Sequence, residues 1–153
     1  MSWSFRPATT EDDALLRELY RTSRLDEVRG WGWGDAEVEA FLSQQWELER
    51  RTRPLQYPDA EHLIIVVAGR SIGRLLIDRS PERVRLVDMA LLPETRDRGL
   101  GTDILNRIID EARPRPVDLS VVPGGRPQRL CERLGFQHVG DPAPLQQLRR
   151  HTV

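Results

Sequence analysis

Apolar and polar residues alternate at the start of the chain, in SWSFRPA at 2–8, and this pattern predicts a short strand. Apolar residues then recur at helical spacing in two segments. Thr9 or Thr10 is expected to cap a helix that runs to about residue 22, and Asp35 is expected to cap a second helix that runs to about residue 50. Two prolines then predict a loop at 51–59.

Three apolar segments predict consecutive strands at 62–69, 71–78 and 82–92, the first two joined by a tight Gly69-Arg70 turn. A helix follows, and its apolar residues fall on one stripe: Ile104, Leu105, Ile108, Ile109 and Ala112. The remaining pattern predicts a strand at 116–122, a helix within 126–136 with Gly135 just past its end, a turn at 140–144 and a last strand at 145–150.

The predicted order of elements is β-α-α-β-β-β-α-β-α-β, which is typical of an α/β (α+β) domain built on a mixed sheet. The strand–helix–strand unit at 82–122 predicts two parallel strands joined by a right-handed crossover. A chain of 153 residues is long enough for one domain with its own core, so we expect a single domain over residues 1–153.

Composition narrows the functional classes. The net charge of −1 supplies no general attraction to nucleic acid or to an anionic membrane, so neither partner is expected. The first residues lack the apolar core of a signal peptide, and the longest apolar run, LIIVVA at 63–68, is too short to span a bilayer. We therefore expect a cytoplasmic protein.

Cysteine and histidine are too few and too scattered to suggest a metal site. Cys131 is the single cysteine, and His62, His138 and His151 lack metal-ligand spacing, so neither an internal disulfide nor a metal is expected. All 23 basic residues are arginine. Each positive side chain is therefore a bidentate guanidinium rather than the point charge of an ammonium.

The segment ETRDRGLGTDI at 94–104 joins a predicted strand to a predicted helix through two glycines. The first N–H groups of a helix have no intrahelical partner, and the helix dipole places partial positive charge there. Glycines let an anion approach such a backbone closely, so the turn is a candidate phosphate site; a tight packing turn is the alternative. The segment lacks the lysine of a P-loop and the third glycine of a dinucleotide-binding turn.

The hexapeptide RDRGLG at 96–101 matches the R/Q-x-x-G-x-G/A signature of the GNAT superfamily of acyl-CoA-dependent N-acetyltransferases. LCERLGF at 130–136 is similar to the L-Y-E-R-L-G-F ending of that family, and the predicted order of elements agrees with it. The resemblance implies a mostly antiparallel mixed sheet with splayed central parallel strands, flanked by helices. It also implies acetyl-CoA as co-substrate, a primary amine of a small molecule or peptide as acceptor, and direct attack of that amine on the thioester. It allows a homodimer.

The resemblance also implies which residues hold the co-substrate. The CoA pyrophosphate would lie on the turn formed by Arg96, Asp97, Arg98, Gly99, Leu100, Gly101 and Thr102. The pantetheine arm would pair with the backbone of Met89, Ala90 and Leu91, as an added strand would. A backbone N–H near Leu91 would point at the thioester oxygen and stabilise the negative charge that develops on it.

Two positions depart from the family pattern. Many members keep a glutamate base where this chain has Arg85, which leaves Asp88, or Asp78 on the neighbouring strand, as the candidate base. The tyrosine that protonates the departing thiolate is replaced by Cys131, which becomes the candidate general acid. The alternatives are that these carboxylates are surface or ion-paired groups and that Cys131 simply faces the core. A catalytically degenerate CoA-binding sensor or partner domain is therefore the rival function.

In this family the loop between the first two helices usually covers the acceptor site. Here the loop carries Glu27, Trp31 and Trp33, and this set of a carboxylate and aromatic rings suits a cationic amine. The alternative is that both tryptophans pack onto the sheet edge. The residues do not distinguish a polyamine, an aminoglycoside, an amino acid and a protein N-terminus as acceptor.

Overall fold

The computed structural model describes residues 2–140 and 145–152, without the side chain of Asp26. Most of the turn predicted at 140–144 thus lies outside the described residues. The helices and strands are β1 (Trp3–Pro7), α1 (Asp13–Arg29), α2 (Asp35–Gln56), β2 (Glu61–Val67), β3 (Arg70–Arg79), β4 (Val84–Leu91), α3 (Leu100–Ala112), β5 (Val117–Val121), α4 (Arg126–Arg133), β6 (Gln137–Val139) and β7 (Gln146–Arg150).

The strands form one sheet in the order β1-β2-β3-β4-β5-β7-β6. The sheet is mostly antiparallel and contains one parallel pair, β4 with β5, as the strand–helix–strand pattern predicts. The predicted α/β (α+β) class and mixed sheet are confirmed. The pattern missed β6, because three exposed residues, Gln137–Val139, are too short to show an alternation.

The chain divides into two compact units. The first contains Met1–Leu75 and Met89–Arg96, and the second contains Leu76–Asp88 and Asp97–Val153. Strands β3 and β4 each contribute residues to both units. The expectation of a single domain over residues 1–153 stays a prediction.

In the first unit, β1 runs antiparallel to β2, from the pair Trp3 and Val67 to the pair Pro7 and Leu63. Helix α1 is seven residues longer than predicted, because its apolar stripe continues past residue 22. Val28 is buried in a small cluster with Val38 and Leu42 of α2, and Leu25 packs against that cluster. Burial of these two residues stabilises the last turns of a helix that is otherwise mostly polar.

Helix α2 differs from its prediction at both ends. Gly34, rather than Asp35, is the N-cap residue, and the helix continues to Gln56 through Pro54, where the prolines predicted a loop. Pro54 has no N–H and interrupts a helix when it lies in the interior. Here the helix continues for two residues beyond Pro54, and the N–H of Tyr57 donates to the carbonyl of Arg53 at 2.8 Å.

The hairpin between β2 and β3 turns one residue earlier than predicted. Ala68 and Gly69 both adopt positive φ, 52° and 77°. Two consecutive residues in this region form the type I′ turn, whose twist suits a two-residue hairpin loop. Gly69 supplies the conformation without strain, and Ala68 adopts it at some cost.

In the second unit, the predicted stripe of α3 is buried throughout, with Ile104 and Leu105 at 0% and 1% exposure. Strand β7 pairs antiparallel with both β5 and β6. Helix α4 ends at Arg133, and Gly135 follows just beyond its end with a φ of +93°, which allows the N–H of Phe136 to donate to the carbonyl of Cys131 at 3.0 Å. The predicted glycine stop is therefore confirmed.

The start of the helical region depends on one buried carboxylate. Asp12 is 6% exposed and accepts two hydrogen bonds from the guanidinium of Arg6, at 2.7 and 2.9 Å, and a third from the N–H of Thr9 at 2.8 Å. Thr9 and Asp12 thus form a capping box, as the sequence predicted for one of the two threonines. The hydrogen bonds from Arg6 lower the pKa of Asp12 from 3.8 to about 2, against the opposing effect of burial.

Replacing Asp12 tests this interaction. Because the pKa of the folded state lies below the ordinary value, the ionised carboxylate stabilises the fold above about pH 4, and this stability is lost as the pH falls toward 2. We expect Asp12→Asn to lower the free energy of unfolding at neutral pH by about 1–2 kcal/mol, with the difference from wild type shrinking between about pH 4 and pH 2. Urea unfolding across this pH range measures both the loss of free energy and its dependence on pH.

Asp59→Asn, at an exposed carboxylate, is the control and should change the free energy of unfolding by less than about 0.5 kcal/mol. A pH-independent difference for Asp12→Asn would contradict the assignment.

Candidate active site

The segment between β4 and α3 makes two successive turns. Pro93–Thr95 form a short 3-10 helix, in which the hydroxyl of Thr95 donates to the carbonyl of Leu92 at 2.7 Å. Asp97 and Gly99 then adopt positive φ, 63° and 81°. The chain can therefore reverse and enter α3 at Leu100 within a few residues, because glycine tolerates this conformation and aspartate visits it more readily than most residues.

The N-terminus of α3 exposes the backbone donors that the sequence predicted. The first bond of the helix runs from the N–H of Asp103 to the carbonyl of Gly99 at 3.0 Å, so the N–H groups of Leu100, Gly101 and Thr102 have no intrahelical acceptor. Gly99 is the N-cap residue and brings no side chain to cap them. A Cβ placed on Gly99 would meet no atom within 4 Å. Open space therefore faces a set of donors that suits an anion such as pyrophosphate.

The charged side chains of this turn have different roles. The guanidinium of Arg126, at the start of α4, forms an ion pair with the carboxylate of Asp97, so these two charges cancel. Arg98 is exposed and has no ion-pair partner among the described residues. Arg98 is therefore the positive charge of the turn that is left for a ligand.

Arg96 is bound to the strand that precedes the turn. Its Nε donates to the carbonyl of Leu91 at 3.1 Å, so the guanidinium folds back over the end of β4. Arg96 thus has a structural role in addition to the phosphate contact that the resemblance implies. It also occupies the carbonyl of one of the three residues expected to pair with pantetheine.

Gly73 on β3 fixes the position of that strand end, and the sequence analysis missed it. A Cβ at Gly73 would lie 2.6 Å from the carbonyl oxygen of Ala90 and 2.9 Å from Cδ2 of Leu91. Only glycine allows β4 to approach this closely. The available signal was an isolated glycine within a strand pattern, which commonly marks a close approach of another backbone.

The parallel pairing of β4 and β5 is short. It covers Val84 with Val117, Arg85 with Asp118, and Leu86 with Leu119. Strand β5 then continues its pairing with β7 as far as Val121 and Gln146. The three-residue ladder agrees with the splayed central strands that the resemblance implies.

The candidate acid and base lie on different elements. Cys131 is buried in α4, and burial raises the pKa of its thiol to about 11. Asp88 and Asp78 are both half-buried, on β4 and β3. The catalytic assignments of Cys131 and Asp88 stay predictions.

The loop after α1 gathers aromatic rings. Trp31, Trp33 and Phe41 contact one another edge to face, with centroid separations of 5.2 to 5.4 Å. Trp31 and Trp33 remain 47% and 43% exposed. They pack on Phe41 of α2, which the sequence analysis did not include because it reads as an ordinary core position of the helix.

A cavity of about 70 Å³ lies beside these rings. Its walls include Tyr20, Arg24, Glu27, Trp31 and Phe41, so the structure brings two of the three predicted acceptor residues to one cavity. The guanidinium of Arg24 lies 5.1 Å from the ring centroid of Tyr20. The cavity therefore contains one positive and one negative side chain beside aromatic surface.

Residues 15–136 match the model of the acetyltransferase (GNAT) family, and the chain therefore belongs to that family. A comparison with curated proteins finds no match.

Solved structures share the fold over nearly the whole chain. A PaiA N-acetyltransferase from Thermoplasma acidophilum in complex with coenzyme A is 16% identical with a TM-score of 0.72, and 99% of each chain is covered. YncA from Salmonella typhimurium with acetyl-CoA is 18% identical with a TM-score of 0.58, covering 100% of this chain and 95% of that one. A spermidine N-acetyltransferase chimera of SpeG from Vibrio cholerae and hSSAT is 13% identical with a TM-score of 0.65, covering 97% and 95%.

Two further observations concern the described residues only. None of their helices combines the length and the apolar character needed to cross a membrane. They also contain no group of three or more histidine, cysteine, aspartate or glutamate side chains placed to hold a metal ion.

Replacing Gly73 tests the close approach of β3 and β4. Since a Cβ there would overlap the backbone of Ala90, we expect Gly73→Ala to lower the free energy of unfolding by about 1–3 kcal/mol, as overpacking does. Gly30→Ala is the control, because Gly30 has an ordinary helical φ of −65° and its nearest neighbour would be 3.4 Å from the new Cβ. Urea unfolding compares the two. If both substitutions lowered the free energy of unfolding equally, the close approach of β4 to Gly73 would not be what makes glycine necessary there.

Proposed function

We propose that this protein transfers the acetyl group of acetyl-CoA to a primary amine of a small molecule or peptide, by direct attack of the amine on the thioester. The observation that carries the proposal is the uncapped N-terminus of α3, with open space at Gly99 and the exposed cation of Arg98 beside it. Membership of the acetyltransferase family supports it, as do the coenzyme A and acetyl-CoA bound by two proteins of the same fold.

The residues of the turn suit the pyrophosphate of CoA. The N–H groups of Leu100, Gly101 and Thr102 would donate to its oxygens, and Arg98 would balance its charge. Asp97 would contribute its backbone N–H, since its carboxylate is held by Arg126. Arg96 would add a second guanidinium while its Nε remains on the carbonyl of Leu91.

Strand β4 would hold the pantetheine arm through the backbone of Met89 and Ala90. The N–H of Leu91 would lie at the acyl end, while the carbonyl of Leu91 accepts from Arg96. This N–H would donate to the thioester oxygen as negative charge develops there. When bound, acetyl-CoA supplies the activated acyl group.

The proposed reaction also needs a base to take a proton from the amine and an acid to protonate the departing thiolate. An alkyl amine with a pKa of about 10 is mostly protonated at neutral pH, so a base is useful, and Asp88 is the candidate with Asp78 as the alternative. The thiol of Cys131 stays protonated at neutral pH, as a donor must. However, its pKa of about 11 makes proton transfer to a CoA thiolate unfavourable, so its contribution as an acid is weak.

The acceptor amine would enter at the aromatic loop. The carboxylate of Glu27 would pair with an ammonium group, and the faces of Trp31 and Trp33 would provide cation–π contact. The exposure of both tryptophans supports this role, because packing alone would favour their burial.

The rival proposal is a CoA-binding sensor or partner domain without turnover. The burial of Cys131 and the cation of Arg85 at the position of the usual base favour it. The two proposals share CoA binding and differ in catalysis. Release of free thiol across a panel of amines therefore separates them: amine-dependent release supports the transferase, and a uniform background rate with every amine supports the sensor.

Calorimetry with acetyl-CoA tests the shared premise. We expect Arg98→Gln to weaken binding by about tenfold, since it removes a charge-assisted contact to phosphate worth about 1.4 kcal/mol. Arg107→Gln is the matched control, on the helix that follows the turn. Its guanidinium is exposed and ion-paired with Glu111, so the affinity of this variant should stay within about twofold of wild type. If wild type binds no acetyl-CoA at millimolar concentration, both proposals fail. If both variants lose affinity equally, the turn is not the phosphate site.

A further inference from the structure

One face of the sheet in the second unit carries a row of polar side chains. Along β4, β5 and β7, alternate residues point to one face of the sheet and are buried: Val84, Leu86, Val117, Leu119 and Leu148. The residues between them, with Arg83 just before β4, alternate to the other face and are polar: Arg83, Arg85, Asp118, Ser120, Gln147 and Arg149. Three of these are cations and one is an anion, in a chain whose net charge is −1.

The single carboxylate of this face is already fully engaged. Asp118 accepts two hydrogen bonds from Arg149, at 2.6 and 2.8 Å, and one from Arg83 at 3.2 Å. The hydrogen bonds from Arg149 lower the pKa of Asp118 against the effect of burial, so the carboxylate is ionised at neutral pH. It therefore balances Arg149 and Arg83 only in part and has no capacity left for Arg85.

Arg85 has no carboxylate partner within the described part of the chain. Its Nη2 donates to the hydroxyl oxygen of Ser120 at 2.9 Å, and this is a neutral acceptor. The side chain is half-buried, at a position where an uncompensated charge is costly. The fold thus pairs the other two cations of this face and leaves this one uncompensated.

The hydrogen bonds around Arg85 run in one direction. Because the oxygen of Ser120 accepts from Arg85, its proton is directed to Oε1 of Gln147, at 2.7 Å. With Oε1 occupied as acceptor, the exposed amide of Gln147 presents its NH2 group. Arg85 and Gln147 therefore offer hydrogen-bond donors to a ligand, and this combination suits an anion and does not suit an ammonium group.

We propose that Arg85 and the amide of Gln147 bind an anionic group, a carboxylate or a phosphate, on the amine that accepts the acetyl group. This inference rests on the proposed function, because it assigns the ligand as the acceptor. It names the substrate class as an amine with a negatively charged group, such as an amino acid or a phosphorylated amine. Arg85 lies on β4, the strand to which the proposed function assigns the donor thioester. A cation at this position excludes polycationic amines by repulsion.

Matched pairs of amines test the substrate class. Phenylalanine differs from phenethylamine by one carboxylate, and phosphoethanolamine differs from ethanolamine by one phosphate. We expect wild type to show at least a tenfold higher kcat/KM for the anionic member of one pair, and the pair that shows it identifies the group. A preference for the neutral member in both pairs, or for spermidine, would overturn the inference.

Charge substitutions on this face test the residue assignment. We expect Arg85→Gln to reduce the preference for the anionic amine at least tenfold, mainly through KM, with the KM for acetyl-CoA unchanged. Arg83→Gln removes the same charge two residues earlier in the chain, but at a guanidinium that already pairs with Asp118, so it should change the preference by less than threefold. Equal effects of both variants would indicate general electrostatics and would overturn the assignment to Arg85.

A binding measurement separates this inference from the proposed function. Phenylacetate and inorganic phosphate carry the two anionic groups without an amine. We expect one of them to shift the NMR resonance of the Arg85 side-chain Nε–H in wild type, and Ser120→Ala and Gln147→Glu to weaken that shift. If the anion binds but no amine is acetylated, the anion site stands and the transferase proposal fails. If amines are acetylated and neither anion perturbs Arg85, the transferase proposal stands and this inference fails.

Discussion

The candidate site depends on a helix whose first donors are left without protein acceptors. Helices usually satisfy these N–H groups with a side-chain cap, and α3 has none. The buried stripe of α3, with Ile104 at 0% exposure and Ile108 at 2%, supplies the stability that a cap would otherwise add. Because packing of its apolar side stabilises α3, the N–H groups at its N-terminus can stay available to an anion. Gly99 completes the arrangement, since its αL conformation turns the chain without placing a side chain before the donors.

Arginine performs several distinct tasks in this fold. Arg6 holds the buried Asp12 at the start of the helical region, and Arg149 holds the buried Asp118 in the sheet. Arg96 closes the end of β4 by binding a backbone carbonyl. Arg98 and Arg85 have no carboxylate partner among the described residues, and each is assigned a ligand here. The planar fork of the guanidinium suits all of these roles, because it can bind a carboxylate, a carbonyl or a phosphate with several directed hydrogen bonds.

Local sequence patterns correctly predicted elements whose hydrogen bonds are local and whose apolar residues recur at a regular spacing. The stripe of α3 and the glycine stop of α4 belong to this group, and so does the turn at Gly99. The errors arise where tertiary burial overrides local signals. Val28 extends α1 by packing on α2, and α2 continues through Pro54 where the local signal predicted a loop. Strand β6 is held by pairing with β7 and has too few residues for a pattern of its own.

The same distinction applies to the candidate site. The motif at 96–101 predicted the turn that leaves the first N–H groups of α3 exposed, because its glycines report a local backbone requirement. Gly73 and the row from Arg85 through Ser120 to Gln147 depend on which strands are neighbours, and single-sequence periodicity does not contain that information. The Trp31, Trp33 and Phe41 cluster likewise joins a loop to a helix that follows it. These residues come together through contacts between elements, which the local sequence pattern does not specify.

The guanidiniums bound to backbone carbonyls at element ends are also side chains that the proposed reaction would leave unmodified. Arg96 binds the carbonyl of Leu91 at the end of β4, and Arg150 binds that of Leu134 at the end of α4, at 2.9 Å. A lysine ammonium in either place would be a potential acetyl acceptor, and acetylation would remove its charge. Arginine stays protonated at neutral pH and is a poor nucleophile. With no lysine among its 153 residues, the chain offers no side-chain amine that would compete with the acceptor or be altered by the donor.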